Sequence, residues 1–377
     1  MSKPLTRVCY VIPTLDMGGT ERQLICLMKG LIHDFEITVI CTRYEGTLAG
    51  EARRMGAYVR QAESWGGWDF TLERKIRNMF RQHRPDIVHT FMFGFDLPVN
   101  KAARATGVPV VISSRRQRAT WKKARHIRIQ KKANLLADAI VANSNAVREF
   151  ACEQEGLDPA AVRVIYNGID ADAFVSSAMP TMVRERFDLP HEPIIVGMVA
   201  NFSPAKDHEL FVQAAEHLLS QRDNLHFLMA GAGPYRKEVL TRIRNSKWSS
   251  RFSRVSTIQE IADLYRIMSV CVLTSKTEGF PNTVLEAMAA NRPVVAAAVG
   301  GIPEQIEDGI TGRLIRDRRP ESFAEAIAHL IEHPQEAEAM GQRAGESVRA
   351  RFSVESMVNS YRNLYRELLV ESARRSA

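Results

Sequence analysis

Two glutamates, Glu278 and Glu286, bracket the start of an apolar helical segment, and their neighbours define what they could hold. The stretch reads Thr277-Glu278-Gly279-Phe280-Pro281-Asn282-Thr283-Val284-Leu285-Glu286 and continues as Ala287-Met288-Ala289-Ala290. Pro281 suits the first helical position. The backbone N–H groups of Asn282, Thr283 and Val284 then have no intrahelical acceptor and favour a phosphate. Glu286 follows five residues after Pro281, about 7–8 Å along the axis. Among apolar neighbours its carboxylate needs donors, since a buried unpaired charge is strongly unfavourable. A vicinal diol supplies two. The order suits an elongated ligand: sugar hydroxyls near Glu278, a diphosphate at the helix start, a ribose at Glu286. The bland alternative is an ordinary helix with one buried, paired glutamate.

A second chemical signal is the Gly18-Gly19 turn in Pro13-Thr14-Leu15-Asp16-Met17-Gly18-Gly19-Thr20-Glu21-Arg22-Gln23. Glycines let backbone approach a ligand closely. Thr20 and Gln23 are spaced as a capping box, which predicts a helix start with amides facing an anion. The three-glycine dinucleotide fingerprint is missing, which speaks against a dehydrogenase. His89 closes a short apolar strand, where an active-site or a purely structural role is equally expected. Asp170-Ala171-Asp172 mimics a metal-binding pair, but it follows an Asn-Gly turn and reads as a turn or cap.

The charge is uneven. The net +8 is concentrated between Leu97 and Ala137, which carries eleven cations and no acid; the remaining chain sums to −3. Arg115, Arg116, Arg118, Lys122, Lys123, Arg125, Arg128, Lys131 and Lys132 lie here, with Trp121 among them. The alternatives are a solvated helix face, or a dock for an anionic acceptor or a membrane surface. No recognised nucleic-acid module accompanies it. Cys9, Cys26, Cys41, Cys152 and Cys271 lack metal or redox spacing and read as reduced core thiols.

These residues must be carried by elements that alternate. Val8–Ile12, Glu36–Cys41, Ile87–His89, Val108–Ile112, Ala139–Ala142 and Val162–Ile165 read as strands buried on both faces, with helical segments between them. The alternation pauses at 170–192, where Pro180, Pro190 and Pro193 suggest a linker, and restarts at Ile194–Val199. Further strands are expected at Leu225–Met229, Val270–Leu273, Val294–Ala298 and Gly312–Ile315. The helix starting at Pro281 and one over Ile258–Ile267 lie between them. The expected fold is α/β, with two tandem Rossmann-like domains whose parallel sheets face a central cleft. Residues 1–180 would form the N-terminal, acceptor-side domain and 190–352 the C-terminal, nucleotide-sugar-binding domain. A helix at 353–377 would cross back to the first domain. Composition is that of a soluble globular chain without an 18-residue apolar run or a signal peptide, so a cytoplasmic location is expected, including the cytoplasmic membrane face.

The Glu-x7-Glu spacing with Gly-Phe-Pro after the first glutamate resembles the signature of family 4 retaining glycosyltransferases of the GT-B fold. Other stretches agree in order: Val164-Ile165-Tyr166-Asn167-Gly168-Ile169-Asp170, Val141-Ala142-Asn143-Ser144, Gly197–Asp207 with its Lys206, Gly300-Gly301-Ile302-Pro303-Glu304 and Asp308-Gly309-Ile310-Thr311-Gly312. The likeness spans nearly the whole chain.

The resemblance implies a retaining, metal-independent hexosyltransferase that uses a nucleotide-diphosphate sugar as co-substrate and no cofactor. Lys206 would pair with the diphosphate, lined by Gly18 and Gly19. Glu286 would hold the ribose. Glu278, Gly279, Phe280 and Pro281 would contact the transferred sugar, and Asn282 and Thr283 the phosphates. The acceptor would be a glycan or a polyprenyl-diphosphate-linked sugar, in polysaccharide or glycolipid biosynthesis. Two departures stand out. Asn201 occupies a place where the family often has Arg, and a neutral amide cannot balance diphosphate charge as a guanidinium does. Ser113-Ser114-Arg115-Arg116 replaces a stretch that often holds a histidine, which makes Arg115 and Arg116 acceptor candidates. A sugar-nucleotide epimerase and a non-catalytic nucleotide-sugar-binding or scaffolding protein remain the rival readings.

Overall fold

The computed structural model describes residues 5–64, 69, 71–91, 94–175, 178–256 and 261–376. The chain divides into two compact units, Met1–Gly168 with Val354–Ala377, and Ile169–Ser353.

In the first unit the chain runs through β1 (Thr6–Ile12), α1 (Gly19–Leu31), β2 (Phe35–Cys41), α2 (Ala49–Arg54), β3 (Tyr58–Gln61), α3 (Leu72–His83) and β4 (Ile87–Thr90). It continues through α4 (Asp96–Ala105), β5 (Val110–Arg115), α5 (Ala124–Asn134), β6 (Ala139–Ala142), α6 (Asn145–Glu155) and β7 (Val162–Val164). The strands pair in parallel in the order β3-β2-β1-β4-β5-β6-β7. Alternate residues of β1 enter two different cores: Val8, Tyr10 and Ile12 on one face, Cys9 and Val11 on the other. That two-sided burial is why the strand shows no polar alternation.

The second unit holds α7 (Pro180–Arg186), β8 (Ile194–Val199), α8 (His208–Leu219), β9 (Leu225–Ala230), α9 (Arg236–Arg244), β10 (Phe252–Val255), α10 (Ile261–Ile267) and β11 (Val270–Leu273). Then come α11 (Asn282–Ala289), β12 (Val294–Ala297), α12 (Ile302–Gln305), β13 (Arg313–Ile315), α13 (Pro320–Glu332) and α14 (Pro334–Arg351). Its parallel order is β10-β9-β8-β11-β12-β13. The direction of winding reverses between β1 and β4 in one sheet and between β8 and β11 in the other, where open α/β sheets place ligands. Each unit is therefore a doubly wound, Rossmann-like sheet.

The last helix, α15 (Val354–Ser376), belongs to the first unit. Tyr361 and Tyr365 are buried in the β1–β2 core. Gly30 of α1 makes room for the helix, since a Cβ there would lie 2.5 Å from the Val358 side chain. Arg362 reaches Asp34 at 2.8 Å and the Gly30 carbonyl at 3.0 Å.

Several elements differ from expectation. The division falls at Gly168 and not in the proline-rich stretch, because Ile169 bridges to Ser353 and Phe174 packs 6.1 Å from Tyr265. The stretch expected as a linker contains α7, anchored by buried Val183. The expected Ile258–Ile267 helix is described from Ile261; residues 257–260 lie outside the described residues. α14 is an unexpected helix whose buried face is built mostly from small residues, Ala337, Gly341, Ala344 and Gly345, with Met340 and Val348 as its two large apolar members, and a Cβ on Gly341 would meet the Asn291 carbonyl at 2.2 Å.

Candidate active site

Lys206 and Glu278 come from the loops after β8 and β11, the two strands flanking the winding reversal of the second sheet. Lys206 ends a single 3-10 turn, Pro204–Lys206. Buried Thr274, just past β11, fixes that turn: its Oγ1 lies 3.1 Å from the Lys206 carbonyl and 2.9 Å from the Asp207 carbonyl. The Lys276 N–H donates to the Ala205 carbonyl at 2.7 Å. Asp207 sits at φ +52, held by Arg318 and by Lys276 at 3.5 Å. Thus anchored, the Lys206 ammonium donates to Glu278 Oε1 at 2.5 Å, and the Ser275 hydroxyl donates to the same oxygen at 2.5 Å.

Glu278 is itself pinned from behind. Gly300, at φ +56, lies so close that a Cβ would be 2.0 Å from the Glu278 carbonyl oxygen. The Gly301 N–H donates to the Gly279 carbonyl at 3.0 Å. The Gly-Gly pair thus serves backbone contact, with one residue in a conformation only glycine adopts readily. Phe280 is buried edge-on against Phe352 at 5.3 Å.

Pro281 is the N-cap of α11, not its first helical residue. Its extended ψ of 125° turns the chain, and the helix begins at Asn282. Asn282 and Thr283 therefore occupy the first turn, whose amides an α-helix cannot pair internally. Gln305 supports the turn by donating to the Pro281 carbonyl at 3.0 Å. Glu286 is buried on α11 and accepts from the Tyr265 hydroxyl at 2.9 Å; the same hydroxyl is 3.3 Å from the Thr283 carbonyl. Tyr265 comes from α10, so this partner is supplied by tertiary packing.

Asn201 is exposed at the end of β8. The next residue, Phe202, is buried and stacks on His208 at 4.3 Å. Burial first, then Lys206, pushes the His208 imidazole down to about 4.

In the first unit, Gly18 is the N-cap of α1 and Gly19 its first residue. The expected capping box does not form: Gly18 offers no side chain, and Gln23 turns away to the Gly168 backbone, donating at 2.8 Å and accepting at 3.0 Å. The Glu21 carboxylate occupies the space beside Gly18. Glu21 folds back so that a Cβ on Gly18 would lie 2.1 Å from its Oε2. Burial raises the Glu21 carboxyl above its usual range, Asp16 adds to this, and Arg116 opposes it.

His89 is not at an acceptor surface. It is fully buried, with Nδ1 2.8 Å from the Tyr365 hydroxyl and Nε2 2.8 Å from Ser114 Oγ. Burial and then Arg116 push it down to about 3, so it is a neutral link between sheet and α15. Arg115 and Lys122 also face inward. Arg115 Nη2 meets Glu155 at 3.0 Å and Asn134 at 2.6 Å, and Lys122 meets Glu155 at 3.2 Å. Two cations around one buried carboxylate explain why the Glu155 pKa is lowered although burial raises it. Arg116 donates to Asn167 at 2.7 Å and lies 5.7 Å above the Phe91 ring. Arg118 lies 5.4 Å over Phe150, and Lys123 is the exposed N-cap of α5. A pocket with about 380 Å³ of unfilled space, its mouth included, is lined by Thr20, Ser114, Arg115, Arg116, Gln117, Ala119 and Lys122. Asp170 makes a turn, its carboxylate accepting from the Asp172 N–H at 3.2 Å. Cys9, Cys41 and Cys271 are buried, and burial raises all three thiols, the latter two to about 12.

Residues 17–173 match the family described as Glycosyltransferase Family 4, and residues 182–347 match Glycosyl transferases group 1. The chain belongs to the family 4 glycosyltransferases. Among relatives of this family 4 chain, a D-inositol 3-phosphate glycosyltransferase of Kineococcus radiotolerans is 33% identical over 227 residues, covering 55% of this chain and 52% of the relative. One from Thermobifida fusca is 28% identical over 305 residues, covering 75% and 70%. The chain spans about half the length of most of the curated relatives it matches. Anabaena HepE in complex with UDP and glucose superimposes with a TM-score of 0.86 at 20% identity, covering 96% of this chain and 100% of that one. A glycosyltransferase from Rickettsia africae gives 0.86 at 23% identity, covering 97% and 99%. These superpositions establish the GT-B fold.

The family 4 chain thus brings Lys206, Glu278 and the 279–283 turn together in one unit, while Gly18 and Gly19 lie in the other. Ser275, Tyr265 and Glu21 carried no sequence signal, because each acts through a partner chosen by folding. Among the described residues no group of three His, Cys, Asp or Glu is placed to hold a metal ion. None of the described helices is long and apolar enough to cross a membrane.

Proposed function

We propose that this chain is a retaining glycosyltransferase that moves a hexose from a nucleoside-diphosphate sugar to a glycan or lipid-linked acceptor without a metal ion. The observation that carries the reading is the Lys206–Glu278 contact at the winding reversal, beside the first turn of α11. An ammonium and helix amides provide positive potential for a diphosphate. Glu278 offers a carboxylate to sugar hydroxyls, and Glu286 one to a ribose diol. HepE was crystallised with UDP and glucose, which supports a nucleotide-sugar donor. The inositol-phosphate glycosyltransferases support an acceptor carrying phosphate, and the pocket bearing Arg116 suits such a group.

In this mechanism the bond between the anomeric carbon and the diphosphate oxygen breaks as the acceptor hydroxyl attacks from the same face. The hydroxyl proton passes to the departing diphosphate. Lys206 and the α11 amides offset the charge that develops on the leaving group, the contribution that preorganised donors make to catalysis. Glu278 and its Ser275 bond orient the sugar. A non-catalytic nucleotide-sugar binder is the second reading, favoured by the exposed neutral Asn201.

The test is nucleotide release from UDP-, GDP-, ADP- and dTDP-hexoses, with and without phosphorylated polyol and polyprenyl-diphosphate sugar acceptors. Acceptor-dependent release, with product configuration matching the donor by NMR, supports the proposal. Release or sugar isomerisation without acceptor supports an epimerase, and binding without release supports the second reading.

A further inference from the structure

Glu21 and Arg116 are opposite charges that the fold brings near each other without joining them. Each feels the other's charge, yet they form no ion pair among the described residues. Both lie in the first unit at its winding reversal. Glu21 sits in the first turn of α1, after β1, and Arg116 follows β5, the neighbour of β4. Thr20, next to Glu21, lines the same pocket as Arg116.

The partners of Arg116 are neutral: Asn167 at 2.7 Å, the Tyr361 hydroxyl and the Phe91 ring. Its Nε is buried and has no hydrogen-bond partner among the described residues. The other cations lining the pocket are compensated. Arg115 and Lys122 share Glu155, and Asp96 lies 3.6 Å from Arg115. Arg116 is therefore the positive charge in surplus there. Glu21 is the matching case among the acids. It is 7% exposed, its carboxylate lies beside Gly18, and its hydrogen bond is to its own backbone N–H. Burial raises the carboxyl, and nearby Asp16 adds to this. Asp16 is fixed by the Tyr44 hydroxyl at 2.7 Å and the Thr47 N–H at 3.3 Å.

Stability alone would be served by bringing the two charges into contact or by replacing both with apolar groups. Kept apart, they suit a ligand that completes each: a hydroxyl donor for the carboxylate and an anion for the guanidinium. We propose that Glu21 and Arg116 together select an acceptor that is a phosphate ester with a free hydroxyl on the same molecule, Arg116 taking the phosphate and Glu21 accepting from the hydroxyl. Asp16 fixes the direction, because two carboxylates at the Glu21 end repel the phosphate. This rests on the transferase reading and adds to it the orientation of the acceptor, with Glu21 as the residue that demands a hydroxyl. A soluble polyol phosphate and the sugar-diphosphate end of a lipid share this chemistry.

The test is calorimetric titration of the full chain with myo-inositol 1-phosphate and with methyl-capped glucose 1-diphosphate, against inorganic phosphate and myo-inositol. No nucleotide sugar is present, so nucleotide release still judges the transferase reading separately. One ester should bind at least about tenfold more tightly than inorganic phosphate or inositol, the size of one hydrogen bond to a charged group, and which ester does so separates the two sources. Glu21→Gln should lose about tenfold for that ester and leave inorganic phosphate unchanged, since an amide accepts more weakly than a carboxylate. Arg116→Gln should weaken ester and inorganic phosphate alike, and Arg116→Lys should restore part of both. Thermal midpoints accompany each variant; if Arg116→Gln does not fold, Glu21→Gln decides. Equal affinity of the parent for ester and inorganic phosphate overturns the proposal, as does absence of binding by both esters. So does parent-like ester binding by Glu21→Gln, or an equal loss of ester and inorganic phosphate in that variant, which would make Glu21 purely structural.

Discussion

Lys206 and Glu278 arrive from loops on opposite sides of the β8–β11 winding reversal and meet at one carboxylate oxygen, Nζ 2.5 Å from Oε1, with Ser275 on the same oxygen. The pair is held by groups that touch neither side chain's charged end: Thr274 under the lysine turn and Gly300 behind the glutamate. On the proposed function a diphosphate would compete for the lysine, and Ser275 would remain for the glutamate when the lysine turns away.

Lys206→Ala should therefore lower kcat by about 10²–10³, the effect of removing one preorganised charge-stabilising donor. The folding midpoint should move little, because Glu278 keeps Ser275. Steady-state kinetics with parallel thermal melts separate the two effects.

Gly300→Ala tests the backbone side of the same site. A methyl group there must displace the Glu278 carbonyl and hold φ +56, a conformation that costs a non-glycine residue on the order of 1–3 kcal/mol. Stability and donor affinity should both fall. An unchanged donor affinity would separate Glu278 placement from donor binding.

Arg115 is a structural residue on this account. Glu155→Ala removes the carboxylate shared by Arg115 and Lys122, leaving Asp96 at 3.6 Å as the acid beside Arg115, and should destabilise the first unit by about 3 kcal/mol, the low end for breaking buried ion pairs. Urea denaturation reads this directly. Arg116→Ala should raise the acceptor KM, since Arg116 lines the pocket, and should also cost stability, since Arg116 holds Asn167 and Tyr361 and lies over Phe91; kinetics with parallel thermal melts separate the two.

Acid should weaken the fold early. His89, His208 and His226 are held at about 3, about 4 and about 4, each mainly by burial. Their folded pKa values lie below the unfolded value of about 6.5, so the stability they contribute is complete above that pH. It is lost as pH falls from about 6.5 toward 4, by at most about 1.4 kcal/mol per pH unit for each histidine. Urea midpoints across this window should decline, and His208→Gln should flatten the slope.

The inner strands of the two sheets were legible because buried parallel strands write themselves as Val- and Ile-rich runs; the edge strands β3 and β10 were missed, because Tyr58–Gln61 and Phe252–Val255 are only partly buried. α14 was not legible either, since Ala and Gly make up most of its buried face and only Met340 and Val348 there are large and apolar. At the site, Glu278 and Glu286 stood out as charges among apolar neighbours, and Lys206 was reached through family resemblance. Their partners Ser275 and Tyr265 did not stand out, being polar residues of common type placed by the fold. His89 and Arg115 looked functional from strand position and charge. Their partners, Tyr365 and Glu155, are distant in sequence, and only packing shows them.

The central claim is that Lys206, Glu278 and α11 form a nucleoside-diphosphate-sugar site. The most direct measurement is calorimetric titration of the parent chain, Lys206→Ala and Glu286→Ala with UDP-, GDP-, ADP- and dTDP-sugars. The account predicts that one nucleotide class binds the parent, that Lys206→Ala loses affinity for the diphosphate and that Glu286→Ala loses affinity for the nucleoside as well as the sugar conjugate. Equal affinity in all three proteins would contradict it.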